Sequence, residues 1–264
     1  MKISASNIGW KKEYDNRMYE HLSEMGVSGL EIAPTRIFAT NPYDCLKEAE
    51  GWARSLKSDF GLVISSMQSI WYGRNENIFA SKQERETLSE YTKKAIDFAS
   101  AIGCGNLVFG CPRNRSFSEG ADISVAEVFF GELGDYAFSH GTVLAMEANP
   151  PMYNTNYCNR TTEAIELIKR VNSKGFLLNL DVGTMVANEE SVGVLSDAPM
   201  LINHVHISEP GLMPIEQRTL HGELAEFLSK NGYNRFVSLE IKAQEDTEVP
   251  LCNISYLQTI FGQW

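Results

Sequence analysis

Eight times along the 264 residues, a short run rich in aliphatic and β-branched residues is followed by a stretch with helical periodicity. This alternation is the strongest constraint on the fold, because successive parallel strands need a crossover between them and a helix is the usual one. The expected pairs begin with strand 3–8 before helix 14–25, 29–33 before 42–60, 62–68 before 81–102, and 106–110 before 125–139. They continue with 143–149 before 161–171, 176–181 before a weaker helix at 189–195, 202–207 before 220–230, and 236–241 before 254–261. Asn41 is expected to cap the second helix, with Pro42 in its first turn. Closing eight such units gives a single α/β domain, a (β/α)8 TIM barrel over residues 1–264, and the length suits a fold that needs roughly 250 residues. An open doubly wound sheet is the other arrangement of the same units. The first strand is not followed by Gly-x-Gly-x-x-Gly, which argues against dinucleotide binding on such a sheet.

Charge narrows the partners. Thirty-four acidic residues against 23 lysines and arginines leave a net charge of −11, which repels nucleic-acid phosphate. The five cysteines are scattered, form no C-x-x-C pair, and read as reduced thiols. No apolar run has the length of a membrane span, and the first residues enter a strand with no signal-like apolar stretch. A cytoplasmic protein without membrane or nucleic-acid partners is the expectation.

Four of the later strands end in potential metal ligands: Val143-Leu-Ala-Met-Glu147, Leu177-Leu-Asn-Leu-Asp181, Ile202-Asn-His-Val-His206 and Phe236-Val-Ser-Leu-Glu240. Their separations of 34, 25 and 34 residues are each about one strand–helix unit, so all four side chains arrive at the same end of the sheet. Strand alternation sends Ile202, His204 and His206 to one face, with His204 one layer below His206. Three carboxylates buried together cost several kcal/mol apiece unless they take up protons or share a cation. One divalent ion held by Glu147, Asp181, His206 and Glu240 resolves that conflict. Oxygen-rich ligation with one imidazole suits Mn²⁺ first, and also Mg²⁺, Zn²⁺ or Co²⁺.

With Gly29-Leu-Glu-Ile-Ala33, Met146-Glu147-Ala-Asn149, Leu180-Asp181, His204-Val-His206 and Leu239-Glu240 in place, the chain resembles the xylose-isomerase-like TIM barrels along essentially its whole length. Those proteins include sugar isomerases, ketose 3-epimerases and endonuclease IV. The resemblance implies a single divalent metal at Glu147, Asp181, His206 and Glu240, with Glu147 and Glu240 also flanking the substrate as the acid/base pair. A metal holding adjacent carbonyl and hydroxyl oxygens acidifies the C–H between them and stabilises an enediolate. One glutamate then removes the proton, and an acid returns it to the other face or to the neighbouring carbon. Two positions depart from the ketose-epimerase pattern. Thr184 stands where that branch has a substrate-binding histidine, and Leu212 where it has an arginine. A free keto-hexose substrate is therefore in doubt.

Other residues fall at the same end of the strands. Arg113 and Arg115, in the loop after the fourth strand, are candidates to grip a phosphate or carboxylate. Lys242 shares strand parity with Glu240, and Glu31 ends the second strand facing a hydroxyl or a lysine. Gln68, Trp71 and Tyr72 follow the third strand, where an aromatic ring can stack on a sugar. Asn149 and Tyr153 lie in a Pro-rich loop beside Glu147. The resulting expectation is a metal-dependent isomerase or epimerase acting on a small carbohydrate, a sugar, sugar phosphate or sugar acid, with a homodimer the oligomer considered. The alternatives are a metal-dependent lyase or dehydratase, whose enolate expels a β-hydroxyl, and a barrel that binds a metabolite without turnover. An endonuclease IV-like nuclease fits poorly, because that site uses several further histidines and this chain has five in all.

Overall fold

A computed structural model describes residues 1–263 and closes eight parallel strands into one barrel, in the order β1 to β8. The strands are β1 (Lys2–Ser6), β2 (Gly29–Ile32), β3 (Val63–Met67), β4 (Leu107–Phe109), β5 (Leu144–Met146), β6 (Phe176–Asp181), β7 (Ile202–Ile207) and β8 (Phe236–Leu239). β8 pairs with β1 to complete the ring. Helices α1 (Asp15–Glu24), α2 (Pro34–Ile37), α3 (Leu46–Phe60), α4 (Lys82–Ala101) and α5 (Val125–Ser139) surround its first half. Helices α6 (Thr161–Val171), α7 (Val182–Ala187), α8 (Thr219–Lys230) and α9 (Glu248–Phe261) surround the second. Among the described residues no helix is long and apolar enough to cross a membrane.

Three local expectations are corrected. The helix after β6 is α7, which starts directly at the strand end, and Val192–Leu195 is only a 3-10 turn. Asp181 causes the early start, since its carboxylate accepts from the Thr184 amide and caps the helix. Asn41 does not cap; its backbone is left-handed, and Pro42–Asp44 forms a separate turn before α3. Finally, α9 begins at Glu248, ahead of the periodic stretch, with Pro250 in its first turn, where a missing N–H costs nothing.

The apolar core lies between the strands and the helices, where Leu30, Ile32, Phe109, Phe130, Phe176, Val205 and Leu257 are buried. The barrel interior is different. Many (β/α)8 barrels fill it with Val, Ile and Leu, but here polar side chains reach across it. Ser4 on β1 bonds Ser65 on β3 at 2.6 Å, and Asn106 below β4 bonds Ser66 at 2.9 Å and Asn203 on β7 at 2.7 Å. His204 bonds Ser238 on β8 at 2.8 Å.

Two register shifts allow this. One lies in the β2–β3 pair opposite Ser65 and the other in the β6–β7 pair opposite Asn203. Each gives one strand an extra residue, so adjacent residues (Ser65 with Ser66, Asn203 with His204) both bond to interior partners. The strict alternation expected for β7, with Asn203 on the face opposite His204, is broken at that point.

Packing of α5 on the start of β6 depends on Gly175, where a Cβ would lie 2.0 Å from the Gly134 carbonyl oxygen and 2.7 Å from the Phe138 amide nitrogen. Both obstacles are backbone and cannot swing aside. Gly175→Ala is expected to destabilise the protein by about 1–3 kcal/mol or more, the usual range for overpacking. A lower denaturation midpoint at unchanged m-value would show it, whereas an unchanged midpoint would show that α5 can shift freely.

Candidate active site and metal centre

The side chains of Glu147, Asp181, His206 and Glu240 meet at the carboxyl end of the barrel, with one ligand atom from each lying within 4.8 Å of the others. His206 is wholly buried and its ring organises the group. Nδ1 lies 3.0 Å from Glu147 Oε1 and 3.1 Å from Glu240 Oε2, while Nε2 lies 2.7 Å from Glu31 Oε2. Each carboxylate has further support. Glu147 accepts from Asn179 at 2.7 Å and from Asn149 at 3.1 Å. Asn149 in turn accepts from Arg115 at 2.8 Å. Asp181 accepts from the Thr184 amide at 2.8 Å and from the Ser208 hydroxyl. At the end of β4, Gly110 leaves room for Glu147, whose Oε2 would sit 2.8 Å from an added Cβ.

The electrostatics call for a cation. Burial, then the charge of Glu147, raises the Asp181 carboxyl above its ordinary range. Burial pushes Glu240 up to about 7, against the opposing pull of His206. Burial also works against the His206 imidazolium, but Glu240, Glu31 and Glu147 around it raise its pKa well above the usual value. His204 is held neutral by burial, down to about 3. Too much negative charge is therefore gathered around one ring. Three carboxylates and an imidazole nitrogen form a donor set that fits a divalent ion, and these residues are a candidate metal site.

The residues named from the sequence divide into three groups. Glu147, Asp181, Glu240, Gln68, Asn149 and Tyr153 line one cleft of about 180 Å³ above the barrel. The Tyr153 hydroxyl accepts from the Gly211 amide at 2.8 Å, tying the β5 and β7 loops together across its mouth. A second group lies behind that surface. Glu31 is wholly buried under His206, and Arg115, also wholly buried, donates to the Glu147 carbonyl at 2.8 Å as well as to Asn149. Neither meets the cleft as a substrate contact; both hold the residues that do. The third group is elsewhere. Trp71 is buried, with its indole N–H on Thr92 at 2.8 Å and its ring edge-on to Phe109. Arg113 is exposed on the rim, and the Lys242 ammonium turns to the Met213 sulfur at 3.0 Å rather than over Glu240.

Asn179, Ser208 and Ser238 were not singled out from the sequence. Asn179 shares strand parity with Asp181 and lies two residues before it, so alternation alone was enough to find it. Ser208 lies beyond the end of β7 and carries no such signal.

The sequence model of the xylose isomerase-like TIM barrel matches residues 19–252. The chain belongs to this family. No curated protein sequence matches it. Among solved structures, a 3-keto-D-glucoside 4-epimerase from E. coli superposes with a TM-score of 0.76 at 18% identity, covering 98% of this chain and 99% of that one. A D-psicose 3-epimerase from Clostridium cellulolyticum H10, solved with D-tagatose, gives 0.74 at 16% identity, with 99% and 92% covered. A family 2 AP endonuclease from Brucella melitensis gives 0.74 at 21% identity, with 98% and 99% covered. At these identities the likeness establishes the shared fold.

Within this family member, Glu31 is placed to fix the ring of His206 so that Nδ1 faces the carboxylates, as carboxylate partners do for many metal-bound histidines. Glu31→Gln is expected to weaken binding of a divalent ion by about 10–100-fold. Calorimetric titration with Mn²⁺ reads this directly, and an unchanged affinity would show that the ring is held without the carboxylate.

Proposed function

We propose that this chain is a divalent-metal-dependent sugar epimerase or isomerase, with Mn²⁺ as the first choice of ion. The observation that carries the reading is the convergence of two glutamates, from β5 and β8, on a single imidazole nitrogen at 3.0 and 3.1 Å. The two lie three strands apart around the ring, so they approach that point from different sides. A substrate carbon held there has a carboxylate on either side of it. The several epimerases among the structural neighbours support the same reading.

Glu147, Asp181, His206 and Glu240 would hold the ion, which supplies positive charge next to the oxygens of the reacting carbons and so acidifies the C–H between them. Glu147 is braced by Asn149, Asn179 and, through Asn149, by Arg115. That bracing keeps one carboxylate aimed while the proton is taken. Glu240 reaches the same point from β8, three strands away from Glu147, which suits the partner that returns the proton. Return to the opposite face inverts the carbon; return to the neighbouring carbon moves the carbonyl. Tyr153 and the linked β5 and β7 loops restrict water at the mouth.

A nuclease reading has less support. His21 and His221 lie on helices, paired with Glu24 and Tyr256, and His140 follows the end of α5, paired with Asp97, so among the described residues only His204 and His206 face the candidate ligands.

The test is solvent exchange. Metal-loaded protein in D₂O is incubated with a panel of ketoses, aldoses and their phosphates, and deuterium at carbon is followed by NMR. Metal-dependent exchange into at least one sugar is the expected result. Water loss from the sugar instead of exchange would move the chain to the lyases, and no metal-dependent reaction across the panel would overturn the reading.

A further inference from the structure

The cleft over the candidate ligands is small, about 180 Å³, below the roughly 300 Å³ at which sites for larger ligands begin. It does not end at its own walls. Ser69, Cys111 and Pro112 are shared with a second chamber of about 590 Å³ between the loops that follow β3 and β4. Tyr72, Arg74, Asn75 and Arg113 line that chamber. A third cavity of about 550 Å³ lies beyond Tyr72, but it shares only Ser69 with the cleft.

Tyr72 is the distinguishing feature of the second chamber. The residue is 71% exposed, and no hydrogen bond or ring contact engages its side chain among the described residues. An exposed aromatic side chain is commonly mobile, but this one stands on a fixed base. The neighbouring Trp71 is 3% exposed and fastened by its indole N–H to Thr92 and by its ring to Phe109 and Phe129. The backbone turns tightly around the pair, with the Tyr72 amide on the Ser69 carbonyl at 2.9 Å and the Arg74 amide on the Trp71 carbonyl at 2.9 Å. Arg74 is committed to Glu76 and to the face of Tyr91, so it does not cover the ring. In the same chamber, the Arg113 guanidinium and the Asn75 side-chain amide are exposed and have no side-chain partner among the described residues. An exposed aromatic face on a fixed backbone, with unpaired donors lining the same chamber, matches a pyranose ring, whose C–H face packs on an aromatic while its hydroxyls take hydrogen bonds.

We infer that the substrate is a glycoside: the reacting ring occupies the acidic cleft, and a second, O-linked ring lies in the adjoining chamber on Tyr72. This rests on the cleft being the reactive site, but its own evidence is the chamber. The linkage between the rings passes over Ser69, Cys111 and Pro112, the residues common to both spaces.

Equilibrium binding separates the two claims. Mn²⁺-loaded protein is titrated calorimetrically with glucose, galactose, mannose and fructose, with their methyl and 4-nitrophenyl glycosides and common disaccharides, and with the corresponding sugar phosphates. At least one two-ring compound is expected to bind about tenfold more tightly than its parent monosaccharide, the scale of one well-packed aromatic contact with its buried area. Tyr72→Ala should remove that advantage, while Mn²⁺ affinity and binding of the parent sugar stay as they were. Equal binding of one-ring and two-ring compounds, or an advantage that survives in Tyr72→Ala, would overturn the proposal. So would a preference for sugar phosphates lost in Arg113→Ala but not in Tyr72→Ala. Two-ring binding that needs Tyr72 but is indifferent to metal removal would keep the chamber and sink the metal-centred reading instead.

Discussion

Glu147→Gln and Glu240→Gln are each expected to lower turnover by about 10²–10⁴, the usual cost of losing a positioned acid or base. Glutamine keeps the volume and one ligating oxygen but cannot accept a proton at neutral pH. In both variants, saturating metal should still bind and a substrate analogue should still occupy the cleft. The two changes are not equivalent. Glu147 sits in a network with Asn149, Asn179 and Arg115, so its replacement also disturbs those partners, whereas among the described residues the Glu240 carboxylate pairs only with His206. The Glu240 variant therefore isolates proton transfer more cleanly, and residual deuterium exchange from one face of the substrate would identify Glu147 as the other base. Near wild-type turnover in both would leave these glutamates as ligands only.

Removing the divalent ion is the second large perturbation. Chelation is expected to abolish turnover, and Asp181→Ala and His206→Ala should no longer retain metal after dialysis. Folding stability should change as well. An ion present at about 100 times its Kd stabilises the folded protein by about 2.7 kcal/mol. The effect should grow with pH. Glu240 titrates at about 7 in the folded chain against 4.5 when unfolded, so folding without metal favours its neutral form. That contribution is present below about pH 4.5 and is lost as pH rises through about 7. The raised pKa of His206 acts in the same direction, since its stabilising charge is lost at high pH. These two groups thus contribute less to the metal-free protein as pH rises, while ions compete better against fewer protons. Thermal unfolding with and without Mn²⁺ at pH 5.5 and 8 checks this; a metal shift that is larger at pH 5.5 would contradict it.

The barrel and its ring of ligands were legible because both are periodic. A strand–helix repeat near 30 residues and a carboxylate or imidazole at the same place in four units are one-dimensional signals. The residues behind the ligands were misplaced for a physical reason. Arg115 and Glu31 are charged, and the sequence offers no sign that a charge at a strand end is buried rather than at the surface. Arg115 is wholly inside because the Glu147 carbonyl and Asn149 receive it, and those partners are more than thirty residues away in the chain. The early start of α7 is hidden in the sequence because Asp181 both belongs to the ligand cluster and caps a helix. The register shifts at Ser65 and Asn203 leave no trace in hydrophobic pattern, since both faces of those strands carry small or polar residues.

The hydrogen-bonded interior of the barrel also bears on how such a sequence can drift. Ser4 with Ser65, Asn203 with Asn106 and Ser66, and His204 with Ser238 are matched across strands far apart in the chain. Losing one member strands its partner without a hydrogen bond, at about 1–3 kcal/mol, whereas exchanging both for apolar groups of similar shape is close to neutral. Variation in this region is therefore epistatic: an acceptable change at one position depends on what already stands at the other. Lineages of this protein should cross from polar to apolar interiors by paired steps or not at all, and the floor beneath the ligands should change more slowly than the helices that enclose it.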